Sequence, residues 1–177
     1  MQTYIGILLV ILLIVAIVFV PSVTAQSDKN KEIVIRMIDA INDRNYDLLD
    51  DLIAPDIVRH SQATPNLNIH SLSEFKEFLR GDLKTFPDSH IITEMLIAEG
   101  DKVAGYFTFS GTQKGAMGPF PPTNKKADIK YLGILRIEDG KITELWVEWD
   151  NMAFLTQLGH FPPPEKTGDR RRKLRNK

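Results

Sequence analysis

Cysteine is absent from this chain of 177 residues. That absence excludes a disulfide framework, zinc–thiolate sites and any thiol nucleophile. No G-x-S-x-G elbow is present, and Gly115-Ala-Met-Gly118 lacks the Lys-Ser/Thr of a phosphate-binding loop. Covalent serine chemistry and nucleotide hydrolysis are therefore poor fits. Histidine is scarce: His60, His70, His90 and His160 stand alone, none at H-x-H or H-E-x-x-H spacing, which points away from a metal site. A net charge of −1 removes any overall nucleic-acid signature. Charge is also missing from Met1 through Ser27.

That uncharged start is dominated by Ile5 to Val20, sixteen residues of Ile, Leu, Val, Ala, Phe and one Gly. Two readings stay open. As a secretory signal, the apolar stretch is followed by Pro21 and by Val23-Thr24-Ala25, a small-residue pattern a signal peptidase reads. As an anchor, Tyr4 to Val23 is long enough to span a hydrocarbon core of about 30 Å. Residues 1–25 are thus read as signal peptide or membrane anchor, 26–165 as one domain, and the product as exported or anchored at the cell envelope. Membrane contact is expected through this segment. At the other end, residues 166–177 hold seven Lys and Arg against Asp169, a net of +6, which leaves about −7 for the rest. The tail reads as a solvated, disordered end, with a contact to anionic lipid or nucleic acid as the alternative.

Hydrophobic residues make up 43% and charged residues 25% of the chain, a globular balance. Ser27-Asp28 offers an N-cap, and Ile33, Val34, Met37, Ile38 and Ile41 recur at helical spacing up to about Asn45. Tyr46, Leu48, Leu49, Leu52 and Ile53 extend a second short helix, stopped by Pro55, before a brief strand over 56–60. Ser71-Leu-Ser-Glu74 has capping-box spacing and opens a helix with Phe75, Phe78, Leu79 and Leu83 inward. Beyond Pro87 the period falls to two, giving strands over 91–98, 103–111, 127–138 and 142–150. Asp139-Gly140 marks a type I′ hairpin between the last two. Gly115 to Asn124 reads as a loop able to cap a cavity, and Met152 to Leu158 as a closing helical turn. Helices first and antiparallel strands after define an α+β domain.

Asp150, at the end of the last strand, is the candidate acid/base group. Alternation puts it on a face with Glu148, Trp146, Glu144 and Ile142, where burial beside Trp146 would raise its pKa towards neutrality. It can equally cap the helix that begins at Asn151. His60 and His90, near strand ends, could meet at one rim as proton shuttles, or be solvated. Trp146, Trp149, Phe107, Phe109 and Tyr131 lie on strands, where aromatics serve as core or as the lining of an apolar pocket.

Phe86-Pro-Asp-Ser-His90, Gly111-Thr112-Gln113, Pro119-Phe-Pro-Pro-Thr123, Arg136-Ile-Glu-Asp-Gly-Lys-Ile142, Glu144-Leu-Trp146, Asp150 and Gln157-Leu-Gly159 follow one another in an order that resembles the SnoaL-like polyketide cyclases, or ester cyclases, of the NTF2-like superfamily. The resemblance covers about residues 28–160. It implies a cone in which a curved antiparallel sheet is wrapped by N-terminal helices around an apolar cavity, commonly in a homodimer. It also implies intramolecular aldol chemistry without metal or cofactor, with Asp150 as general acid and base. His60, His90, Trp146, Gln113, Phe107 and Tyr131 would be pocket residues. Gln113 stands where many relatives carry His, and Asn124 where they often carry Gly.

The leading expectation is a cofactor-free cyclase or isomerase acting on a small apolar carbonyl compound. The alternative is a non-catalytic ligand-binding or interaction module at the envelope that uses the same cavity.

Overall fold

A computed structural model describes residues 21–162. The segment Met1–Val20 of the expected signal or anchor and the basic tail over 166–177 lie outside the described residues. None of the described helices is long and apolar enough to cross a membrane. Helix α1 spans Pro21–Asn42, so it runs through the expected cap at Ser27-Asp28. Asp28 instead pairs with Lys31 one turn on, at 3.0 Å. Val34, Met37, Ile38 and Ile41, spaced by three and four, form the buried stripe of α1. Arg44, at φ 62°, reverses the chain after it. A 3₁₀ turn (Tyr46–Leu48) and the single-turn α2 (Leu49–Leu52) follow.

Strand β1 occupies Ile53–His60. Pro55, expected to end a helix, is part of this strand because β1 lies at a sheet edge, where a missing N–H costs no ladder bond. Helix α3 spans Leu72–Thr85 and is capped as its sequence predicts: the Ser71 hydroxyl accepts from the Glu74 amide at 3.2 Å. Glu74 returns to the amide of His70 rather than that of Ser71. Phe75 and Leu79 of α3 are buried, each stabilising by roughly 1.5–3 kcal/mol.

Strands β2 (His90–Glu99), β3 (Lys102–Thr112), β4 (Lys126–Glu138) and β5 (Lys141–Trp149) then form an antiparallel meander. Asp139 and Gly140, at φ 49° and 78°, make the β4–β5 turn with both central residues left-handed, as type I′ requires. The sheet order is β1-β5-β4-β3-β2, with β1 parallel to β5. A bulge between Thr93 and Met95 and another near Arg136 bend the ladder. Helix α4 (Asn151–Gln157) closes the end of the sheet. The result is the expected α+β cone: a curved sheet with α1 and α3 over its concave face.

Strand alternation sorts the side chains. On the concave side stand Phe107 and Phe109 of β3, Tyr131 of β4, and Val147 and Trp149 of β5. The opposite face carries Tyr106, Leu132, Ile134 and Trp146, which are register partners or neighbours across β3, β4 and β5. Gly105 and Gly133 pair directly across β3 and β4. A Cβ on Gly105 would overlap the Phe107 ring, so this bare backbone is what lets the ring lie along the sheet floor.

Candidate active site

The helices do not fill the cone. A cavity of about 280 Å³ remains between α1, α3, the sheet and α4. Its wall is almost wholly apolar, with Phe75, Phe78, Phe107, Phe109, Trp149 and Phe154 supplying aromatic surface. Phe107 and Tyr131 stack at 5.1 Å between centroids.

The polar groups in this wall divide into those already bonded and those with capacity left. Asn42 is used up, since its amide donates to Ile91 O and accepts from Ile91 N, both at 2.8 Å. These two bonds fasten the end of α1 to β2. Arg44 donates to Ile41 O at 2.8 Å and to Ser89 O at 2.6 Å, which fixes the start of β2 in turn. Asp82 differs: its carboxylate has no hydrogen-bond or ion-pair partner among the described residues and lines the cavity. Desolvation pushes its pKa up to about 6, against the opposing pull of the Arg44 cation. Asp82 is partly exposed, on the cavity wall. Tyr131 has its phenol pKa raised, first by burial and then by the charge of Asp82. Its hydroxyl therefore stays protonated and able to donate. Arg59, only 5% exposed, is the remaining charged group in the wall.

Neither Asp82 nor Arg59 was picked out from the sequence. A signal for each exists. Asp82 falls on the buried face of α3, four residues after Phe78 and three after Leu79. Arg59 falls two residues after Ile57, on the inward parity of β1.

Of the residues named from the sequence, Phe107 and Tyr131 line the cavity, as do Trp149 and Phe109. The others stand elsewhere. Trp146 has the opposite parity to Val147 and Trp149 and lies on the outer face, where its ring stacks on His60 at 5.3 Å and meets the Arg136 guanidinium at 5.6 Å. His60 is bonded there to Glu144 at 2.7 Å. His60 and His90 cannot meet at one rim, because they belong to β1 and β2, the two opposite edges of the sheet. Gln113 is fully buried in a separate network: it donates to Pro121 O at 3.2 Å and accepts from Thr123 at 3.0 Å. His160 bonds the same Gln113 oxygen at 2.8 Å. That network pins the loop over 115–124 instead of facing the cavity, and Asn124 occupies a left-handed φ of 59° that Gly would also satisfy. Asp150 is exposed and caps α4, its Oδ1 accepting from Met152 N and Ala153 N, both at 2.9 Å. The expected burial beside Trp146 does not occur, since that face is the outer one. Among the described residues no three His, Asp or Glu side chains converge as a metal site would need.

An apolar chamber, closed by helices over a curved sheet and holding one unpartnered acid, is the architecture of a small-molecule site. The chain belongs to the SnoaL-like polyketide cyclase family, whose model matches residues 31–158. It is 31% identical over 135 residues to nogalonic acid methyl ester cyclase of Streptomyces nogalater, covering 75% of this chain and 98% of that one. Among solved structures it is similar to IdmH of Streptomyces antibioticus, with a TM-score of 0.66 and 27% identity over 73% of this chain and 98% of that one. A SnoaL-like polyketide cyclase of Agrobacterium tumefaciens shares the fold, with a TM-score of 0.62 at 22% identity over 73% of this chain and 98% of that one.

Proposed function

We propose that this protein is a cofactor-free acid/base enzyme that closes or isomerises a small, largely apolar carbonyl compound inside the cavity, with Asp82 as the proton carrier. One observation carries the reading: Asp82 is an unpartnered carboxyl in an apolar wall with a pKa pushed up to about 6. A base poised near neutrality can take a proton and give it back. The C–H bond next to the substrate carbonyl breaks, its proton moves to Asp82, and the electron pair becomes an enolate. The Tyr131 hydroxyl donates a hydrogen bond to the enolate oxygen. The enolate carbon attacks a second carbonyl of the same molecule, and the alkoxide so formed takes the proton back from Asp82. Nothing is oxidised or reduced. The surrounding aromatics hold the chain of the substrate folded and exclude water.

A second reading keeps the proton carrier at Asp150. It is favoured by the position of Asp150 between Trp149 and Phe154, both of which line the cavity, and by Oδ1 alone serving the cap. The non-catalytic binding module is the third outcome. Deuterium exchange at the acidic carbon of an aryl β-ketoester, followed by NMR with the full-length chain, separates them. Asp82→Asn should slow catalysed exchange at least ~100-fold, while Asp150→Asn, which still caps, should leave it within a few-fold. The reverse pattern moves the role to Asp150, and no catalysed exchange in wild type favours the binding module.

The outer sheet face supports the homodimer that the family resemblance implies. Ile92, Met95, Ile97, Leu132 and Ile134 lie on it, 43–61% exposed. The uncharged leader supports a place at the cell envelope, by export or by anchoring.

A further inference from the structure

Arg59 is the least expected residue in the cavity wall. It sits at an inward position of β1, between the buried Ile57 and the edge of the cavity, and is 5% exposed. No carboxylate lies within ion-pair distance of it among the described residues, and its one side-chain hydrogen bond there goes from Nη1 to the Thr64 hydroxyl at 3.0 Å. Its backbone is committed to a bridge with Ile69, which fixes where the side chain starts. The guanidinium lies near two aromatic rings, 5.2 Å from the Phe78 centroid and 6.0 Å from that of Trp149. Glu148 is the charge that acts on it from β5, but that carboxylate is spent on the amides of Gln62 and Ala63.

Burial without a full partner is costly for a guanidinium, which has five donors and cannot lose its charge. Desolvation pulls its pKa down, as expected for a cation short of a counter-ion. A buried cation that lines an apolar cavity, with no carboxylate at ion-pair distance among the described residues, describes the complement of an anion.

We infer that the cavity is built for an apolar molecule bearing a carboxylate, and that Arg59 is the group that holds the carboxylate. This rests on the cavity being the ligand site, as proposed above, and it adds the substrate class: an apolar keto acid rather than a neutral ketone. Arg59 would fix the acid end by a two-point contact, setting which carbon of the ligand lies near Asp82.

Titration of the full-length chain with naphthoate, its methyl ester and naphthamide by isothermal calorimetry tests this. The acid should bind one-to-one and at least about tenfold more tightly than the isosteric ester or amide, the difference expected of a charge-assisted contact. Arg59→Met should abolish the preference while ester binding persists, and a cavity-filling Val147→Phe should lose both ligands. Equal binding of acid and ester by wild type overturns the assignment of Arg59 but leaves the cavity as an apolar site, and needs no variant to fold. Acid binding that survives in Val147→Phe places the anion elsewhere and also overturns it. No binding of any of the three overturns the cavity reading itself.

Discussion

Replacing Asp82 by Asn should make the protein more stable at neutral pH, although it removes the proposed proton carrier. The folded-state pKa of Asp82 is about 6, against 3.8 for the free side chain. The native state therefore holds the proton more tightly than the unfolded chain does. Stability is greatest where both states are protonated, falls as pH rises from about 4, and reaches its lower plateau above about 7. A gap of about two pKa units corresponds to roughly 3 kcal/mol. Asn keeps the shape and removes the charge, so the variant escapes that penalty. Its amide still has to find partners in the cavity, which reduces the gain to roughly 1–3 kcal/mol at pH of about 8. For a domain of this size that is on the order of 3–9 °C in Tm. The assay is urea unfolding of both full-length proteins at pH values of about 4, 6 and 8, read as a difference at each pH. The gain should vanish near pH 4. A variant less stable than wild type at pH 8, or a difference independent of pH, would refute the desolvation argument.

Other consequences follow from the same geometry. Asp150→Ala should cost about 1 kcal/mol by uncapping α4, and Asp150→Asn much less, as measured by thermal unfolding. Gln113→Ala removes a fully buried hub and leaves the carbonyl of Pro121 and the hydroxyl of Thr123 without their partner; it should cost about 2–3 kcal/mol in urea unfolding and speed proteolysis within residues 115–124. Gly105→Ala should displace Phe107 from the sheet floor and destabilise by roughly 1–3 kcal/mol, visible also as altered probe binding in calorimetry. The proposed homodimer predicts a dimer mass for the wild type by light scattering and a monomer mass for Leu132→Lys, on the outer face at 61% exposure, and a wild-type monomer mass contradicts it.

The strands, the I′ hairpin and the capped α3 were legible because each is a local pattern: period two, Asp-Gly, and Ser with Glu three residues on. The pairing of β1 with β5 was not, since a parallel partner 80-odd residues away leaves no local trace beyond a short apolar run. Alternation divided β5 correctly from Glu144 onward, but not at Ile142, which the register shift near Arg136 turns into the core, and it could not say which set faces the helices. The set of Trp146, Glu148 and Asp150 faces away, while Val147 and Trp149 face in. Helix packing decides that parity, and a one-residue change of parity exchanges every candidate on the strand. Asp82 and Arg59 escaped for a related reason. A charged residue in an apolar period reads as a surface position, and only the fold shows that it points at unfilled space.

The account stands on where the substrate sits. A crystal structure of the full-length chain with a bound aryl keto acid tests that most directly. The expected result is the ligand inside the cone, its carboxylate on Arg59 and its ketone within hydrogen-bond reach of the Tyr131 hydroxyl, with Asp82 facing the carbon between. A ligand held at Asp150 or on the outer face beside Trp146, with the cavity empty, would contradict it.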